Sequence, residues 1–144
     1  MSLTNYAESA ILNSLFGKTS DFGVLASAPT LYIGLCASDP TDAGTLTSEP
    51  DATGGYARLT TAASDWVASS GGSAVSNATV QAWSASSAAW SSGASTLGFF
   101  FIADSDILGA GNMIASGAVT TPRAVNAAGV TLSAAIGALT ATLD

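Results

Sequence analysis

Residues 30–58, TLYIGLCASDPTDAGTLTSEPDATGGYAR, lead from an apolar strand into a long acidic loop and back into a second strand. Over residues 30–37, both alternating sets of side chains are largely non-polar: Leu31, Ile33 and Leu35 in one set, and Tyr32, Gly34 and Cys36 in the other. A strand with this pattern is typical of a sheet that is covered on both faces. The stretch therefore predicts a buried strand at 30–37, a loop at 38–55 and a second strand at 56–59.

The loop at residues 38–55 combines turn-forming residues with four carboxylates. Asp side chains accept local backbone N–H bonds and Gly permits positive φ, so Asp-Pro at 39–40 and Asp-Ala-Gly at 42–44 predict tight turns. Calcium binding is one interpretation, but the carboxylates lack the spacing of an EF-hand. A loop of this length more often has a function, and we interpret it as a contact loop. The candidate partner-contact residues are Asp39, Asp42, Glu49, Asp51, Tyr56 and Arg58.

Arg58 is one of three basic residues in the chain. We predict that it pairs bidentately with a loop carboxylate such as Asp39, Asp42 or Asp51 and thereby pins the loop to the sheet. The alternative is a solvated charge at a strand edge, where an ion pair contributes only about 0–1 kcal/mol.

Composition argues against several classes of function. The 144 residues amount to about one domain, which we assign to the whole chain, 1–144. Ten acidic residues give a net charge of −7, which disfavours nucleic acid and anionic membranes as partners. With no His and a single Cys, the commonest general base and metal ligands are missing. We therefore expect no enzymatic activity, no metal and no cofactor. The N-terminus lacks the pattern of a signal peptide, which predicts assembly in a cytoplasm.

Residues 1–17 show the one convincing helical pattern, with apolar side chains at three-to-four spacing. Thr4 or Asn5 can cap its start, and Gly17 its end. The apolar stripe either closes one end of the core or docks on a neighbouring subunit. For the second case the candidate interface residues are Tyr6, Ile11, Leu12, Leu15 and Phe16.

The remaining chain consists of short apolar segments separated by Gly, Asn, Asp or Pro turns. The most hydrophobic, TLGFFFIA at 96–103, predicts a central strand covered on both faces. Pro122 is expected to break a strand that begins at Met113, and residues 84–95 are predicted to be flexible. Further strands are predicted at 60–67, 74–83, 123–125, 130–136 and 138–143. Seven to nine short strands favour a mainly β fold, an antiparallel β-sandwich or jelly roll with one N-terminal helix.

Two sets of side chains permit more than one interpretation. The tryptophans at 66, 83 and 90 are either core residues or interface hot spots, and Trp83 and Trp90 are the interface candidates. Asp104 and Asp106 could form an acid–base pair. Turn formation explains these two residues better, because no polar pocket residues lie near them in sequence.

Several segments resemble a family of small tailed-phage structural proteins: LTNYAESAILNSLFG, LYIGLCASDPTDAGT, SEP with GGYAR, FFFIAD and VTLSAAIGALTATLD. Members of this family are often described as tail-fibre or minor structural proteins, and similar small β-domains act as capsid decoration or cement proteins. The resemblance weakens over residues 69–95. It implies a structural protein of the virion.

Our leading hypothesis is a decoration protein on the outside of a phage head. It would self-associate, as a trimer, and clamp subunits of the major capsid protein through the loop and the helix. A second hypothesis is a tail-tip or tail-fibre protein that binds a neighbouring tail protein or a host glycan, with Trp83 and Trp90 exposed for stacking. A third, a glycan hydrolase using Asp104 and Asp106, is disfavoured because such carboxylates must face each other across a cleft.

Overall fold

The computed structural model describes residues 5–18, 30–41, 43–44, 46–67, 74–90 and 96–142. Within these ranges the chain is mainly β, with antiparallel sheets and one helix near the N-terminus, which confirms the predicted fold class. The helix is α1 (Asn5–Leu15). The strands are β1 (Leu31–Cys36), β2 (Leu59–Thr61), β3 (Trp66–Val67), β4 (Ala74–Asn77), β5 (Gln81–Ala82), β6 (Leu97–Ala103), β7 (Met113–Arg123), β8 (Ser133–Ala134) and β9 (Thr140–Thr142).

The strands form three antiparallel sheets in the described part of the chain. The first sheet has the order β2-β1-β6-β7, the second has β3-β4-β9, and β5 pairs with β8. Because β1 and β6 are its two central strands, their continuous apolar runs supply side chains to both faces of the first sheet. The predicted central position of 96–103 is therefore confirmed.

One face of the first sheet packs into the main hydrophobic core. β1 and β6 contribute to this core together with the second sheet, the helix and the segments between strands, which gives a sandwich-like arrangement. Its buried members include Leu31, Ile33, Leu35, Phe100 and Ile102 from the first sheet, and Trp66, Val75, Leu139 and Ala141 opposite them. In the segment predicted as a strand at 138–143, buried Leu139 and Ala141 alternate with exposed Thr140 and Thr142.

The other face of the first sheet is covered by the loop. A second buried cluster joins Cys36, Phe101 and Ala103 to Leu46 of the loop. Gly34 lies opposite Phe101 in the strand register, and a Cβ at Gly34 would overlap the Phe101 ring. Glycine is therefore required here to admit the ring, and the prediction that β1 is covered on both faces is confirmed.

Helix α1 packs within its own chain. Leu12 and Phe16 are buried in the main core, and the Phe16 ring meets the Trp66 ring edge to face at 4.6 Å. This confirms the intrachain interpretation for both, while Leu15 is half-buried and Ile11 is 39% exposed. The side chain of Tyr6 lies outside the described residues. No helix in the described ranges is long and apolar enough to cross a membrane.

The prediction that Pro122 ends a strand was wrong, because β7 continues through it to Arg123. In the described sheet β7 is an edge strand, so a missing N–H can face away from the ladder. Pro122 also lies in a bulge, since the step from Ala118 to Arg123 in β7 faces the shorter step from Leu97 to Phe99 in β6.

Other predicted strands are shorter than their apolar patterns suggested. The strand predicted at 74–83 divides into β4 and β5 because the Asn77 amide donates to the Thr79 carbonyl and forms a turn between them. The strand predicted at 56–59 begins only at Leu59, since the side chains of Tyr56 and Arg58 bond to the loop. Strand structure over 130–136 is limited to Ser133–Ala134.

The tryptophans belong to the core. Trp66, Trp83 and Trp90 are 2%, 6% and 3% exposed. Trp90, in the segment predicted to be flexible, donates its backbone N–H to the Val125 carbonyl at 2.9 Å. The core interpretation is confirmed, and the alternative in which Trp83 and Trp90 are exposed for stacking on a glycan is not supported.

Candidate functional site

A buried ion pair fixes the loop at residues 38–55. Arg58 Nη2 lies 2.7 Å from Glu49 Oε2, and Arg58 Nε donates to Glu49 Oε1 at 2.8 Å. The two side chains are 0% and 1% exposed. The predicted bidentate pairing of Arg58 with a loop carboxylate is thus confirmed. The named partners Asp39 and Asp51 were wrong, and Asp42 lies outside the described residues. Glu49 is the partner because its side chain points inward, over the covered face of the first sheet.

The same two side chains reach the turn between β6 and β7. Arg58 Nη1 donates to the carbonyls of Ser105 at 2.6 Å and Ala110 at 3.0 Å. In return, Gly109 donates its N–H to Glu49 Oε2 at 2.8 Å. The guanidinium also lies 4.9 Å from the centre of the Phe101 ring, within cation–π range. One ion pair therefore ties the loop, the approach to β2 and the β6–β7 turn together.

Tyr56 adds a neutral contact to this cluster. Its hydroxyl accepts the Leu35 N–H at 2.8 Å and donates to Glu49 Oε1 at 3.1 Å. Burial, reinforced by the Glu49 charge, raises the pKa of Tyr56 far above its ordinary value, so the hydroxyl keeps its proton. Its ring meets that of Trp90 edge to face at 4.9 Å.

The end of the loop rests on the segment that contains Trp90. The Gly54 carbonyl accepts the Ser87 N–H at 2.9 Å and the Trp90 indole N–H at 3.2 Å. Gly54 has φ +73°, and a Cβ there would lie 2.6 Å from the Ala88 carbonyl oxygen. At Gly54, near the end of the loop, the backbone therefore packs closely against the backbone of residues 87–88.

The predicted contact residues divide into an inward and an outward set. Glu49, Tyr56 and Arg58 are turned into the fold, so their side chains hold the loop in place and are not available to a partner. Asp39 and Asp51 are exposed, and each accepts the backbone N–H of the second residue after it, at 2.9 and 2.7 Å. Asp42 lies outside the described residues. Pro40 and Pro50 are fully buried, which anchors the loop beneath its exposed carboxylates.

Asp104 and Asp106 lie in the exposed turn before β7, as the turn interpretation predicted. The Asp104 carboxylate accepts the backbone N–H of Asn112 at 2.7 Å and its side-chain amide at 2.8 Å. These two hydrogen bonds hold the pKa of Asp104 below its usual value. The carboxylate therefore closes the turn.

A cavity of about 220 Å³ lies between the sheets, and sequence reasoning did not anticipate it. Its walls come from segments far apart in sequence, including Leu35, Trp83, Leu97, Val119, Leu132 and Leu139. Within the described residues, the buried indole N–H of Trp83 has no hydrogen-bond partner. No local sequence signal could have indicated this cavity, because strand pairing alone brings its walls together.

The polar groups of the site hold backbone segments in place. In the ranges described, no group of three or more Asp, Glu, Cys or His side chains is arranged to hold a metal ion. The buried charges of Glu49 and Arg58 compensate each other and bind carbonyl and N–H groups of the chain itself. The arrangement leaves the carboxylates of Asp39 and Asp51 exposed, each held by its own turn.

Comparison with known proteins identifies a family. A family model described as Gp80, podophage GP4 fiber I protein gp80, matches residues 2–142. That range contains the helix, the loop, the ion pair and the cavity walls. No curated protein matches the chain.

Proposed function

The chain belongs to the family of the podophage GP4 fiber I protein, a family of tailed-phage virion structural proteins, and we propose that it is a fibre subunit that attaches to a neighbouring virion protein. Its work is mechanical: the fold holds a shaped surface against a neighbour. We include copies of the chain itself among its partners, and we exclude nucleic acid and membranes on grounds of charge.

The observation that carries this proposal is the buried pair of Glu49 and Arg58. Two charges are removed from water there, which is expensive unless every hydrogen bond is satisfied. The bonds they make hold the loop backbone and the adjoining turn. A surface fixed before binding loses less conformational entropy when a partner arrives. This arrangement supports a contact role for the exposed part of the loop, and we propose no catalytic role for the chain.

Head decoration is the second candidate. The charged fraction of 9% is low for a domain, and a weakly charged surface suits packing among many copies on a capsid. In that role the exposed carboxylates of the loop would lie on the major capsid protein, and Ile11 would be the exposed apolar residue of α1. The family match favours the fibre, because the matching family is described as a fibre protein.

Copy number separates the two candidates. Purified particles, assembled in the host cytoplasm, would be analysed by quantitative mass spectrometry and by electron microscopy. We expect a few copies to a few dozen copies per particle, placed in a fibre. Hundreds of copies on the head would overturn the fibre assignment and support decoration.

The contact surface is tested by removing its charge while keeping its turns. In the Asp39→Asn/Asp51→Asn double variant, the amide oxygens can still accept the turn hydrogen bonds seen at Thr41 and Thr53. We expect several-fold less of the variant in assembled particles. The control Ser84→Lys/Ala85→Lys makes the same change in net charge at exposed positions and should assemble normally. Equal incorporation of the two variants would contradict the contact role.

A further inference from the structure

Strand β7 forms a long edge of the first sheet. In the part of the chain that the structure describes, β6 is the one strand that pairs with it. Proteins usually protect such edges with charged side chains, prolines or short strands. From Met113 to Thr121 the strand has no charged residue, and Pro122 comes only near its end. The register with β6 shifts near both ends of β7, so within the described chain the regular row of backbone N–H and C=O groups without a pairing strand runs from Ala115 to Ala118.

The cavity lies beside this edge. Val119, Thr120 and Thr121 of β7 line it, opposite the segment at 132–139. Its volume of about 220 Å³ is several times the roughly 30 Å³ that one water occupies in the liquid. Trp83, one of the residues that line the cavity, is 6% exposed.

The charges at the two ends of β7 indicate which strand would fit. Arg123, at one end, is exposed and has no carboxylate partner in the described ranges. The turn just before Met113, at the other end, exposes Asp104 and Asp106. If a second β7 ran antiparallel to the first, Arg123 of each copy would lie beside the acidic turn of the other. A parallel arrangement would instead bring the two arginines together.

We propose that β7 pairs antiparallel with β7 of a second copy across a two-fold axis. The first sheet then continues from one copy into the next, and one contact removes both exposed edges. The added strand covers the mouth of each cavity. This inference rests on the self-association included in the proposed function, but it names the surface and predicts a dimer, whereas the sequence suggested a trimer.

Association is measured by sedimentation of the full chain over a range of concentrations. We expect the mass of a dimer, and Arg123→Glu should weaken dimerisation at least tenfold. Lys18→Glu makes the same change in charge at the end of α1 and should leave association unchanged. The double variant Asp106→Arg/Arg123→Glu reverses both charges and should restore most of the loss. A monomer at all concentrations, a trimer, or a dimer insensitive to Arg123→Glu would overturn the proposal.

Two further measurements examine the strand and the cavity. Ala118→Lys places a charge on an exposed position of β7 and should abolish the dimer, whereas Ala85→Lys, the same substitution at an exposed position outside β7, should not. In protein labelled with ¹⁵N-tryptophan, the Trp83 indole signal should shift as dimer forms. Among the tryptophans, Trp66 and Trp90 are not part of the described cavity lining, and their indole signals should not shift. A dimer that survives Ala118→Lys, or a Trp83 signal that does not move, would overturn the proposal.

Incorporation into particles separates this inference from the proposed function. If the dimer behaves as described but the chain is missing from particles, the inference stands and the proposed function fails. If the chain enters particles as a monomer, and Arg123→Glu enters equally well, the proposed function stands and the inference fails.

Discussion

The loop at 38–55 and strand β7 differ in how far each satisfies its own polar groups. The loop is long and acidic, which in the sequence suggests a surface ready for a partner, yet Glu49 and Arg58 are bonded to each other beneath it. Strand β7 has few charged residues, yet in the described structure it is hydrogen-bonded to another strand along only one of its two edges. Composition shows where polar groups are abundant, but only their hydrogen bonds show which of them remain available.

The difference has an energetic side. The inward half of the loop includes two charges removed from water, and these depend on each other. Substitutions of Glu49 or Arg58 should greatly reduce the free energy of unfolding, whereas substitutions of the exposed Asp39 and Asp51 should change it little.

Arg58→Ala is expected to have the largest effect. It leaves the Glu49 carboxylate buried without its cation and deprives the Ser105 and Ala110 carbonyls of their donor. Removing one partner of a buried ion pair typically costs about 3–5 kcal/mol, and urea unfolding would measure the loss. Asp39→Asn, at an exposed position, should change the free energy of unfolding by less than about 0.5 kcal/mol. Similar values for the two variants would contradict the contrast.

Gly34→Ala examines the face of the sheet beneath the loop. The new Cβ would overlap the Phe101 ring, which is fully buried and cannot simply move into solvent. Overpacking of this kind costs about 1–3 kcal/mol. Gly98→Ala is the control, since its Cβ would meet its nearest neighbour at an ordinary 3.7 Å. Thermal unfolding should show a clearly lower midpoint for Gly34→Ala, and equal midpoints would show that the ring does not depend on this glycine.

Tyr56→Phe keeps the ring on Trp90 but removes the hydroxyl. The buried Leu35 N–H then loses its acceptor, and Glu49 loses one donor. We expect a loss of about 1–3 kcal/mol in the free energy of unfolding. Tyr32→Phe, on the same strand as Leu35, should be nearly neutral, because its hydroxyl makes no hydrogen bond among the described residues. Chemical denaturation of both variants would measure the difference, and a neutral Tyr56→Phe would rule out a structural role for the hydroxyl.

The smallest effect concerns pH and the turn before β7. Hydrogen bonds from Asn112 lower the pKa of Asp104 below 3.8. Because the folded pKa is depressed, the stabilisation is present above about pH 4 and is lost as pH falls through the folded pKa. Asp104→Asn should therefore make the acid side of the stability profile shallower. Denaturant unfolding at several pH values below 5 would show this, and parallel profiles for wild type and Asp104→Asn would contradict it.

The sequence was most informative where the spacing of apolar residues alone determined which side chains are buried. The runs at 30–37 and 96–103 were non-polar on both alternating sides, and both became central strands with two covered faces. The stripe of α1 likewise placed Leu12 and Phe16 in the core. These predictions depended on burial, which hydrophobic spacing reports directly.

The sequence was less informative where the outcome depended on tertiary neighbours. It predicted a carboxylate partner for Arg58, but choosing Glu49 over three aspartates requires knowing which side chain faces the sheet. It wrongly predicted a strand end at Pro122. The edge position and the bulge that tolerate this proline arise only once β7 pairs with β6, so they cannot be recognised from the sequence. The cavity at Trp83 could not be predicted from the sequence either, since its walls are brought together by strands from distant segments.

The reactivity of the Cys36 thiol can be used to measure opening of the loop. Cys36 is fully buried between the first sheet and Leu46, and burial, with the nearby Glu49 charge, raises its pKa to about 11. The thiolate is the form that attacks thiol reagents, so the closed chain should react very slowly at neutral pH. It is the one thiol in the sequence. Its rate of modification in the native protein therefore reports how readily the loop opens away from the sheet, without an added probe.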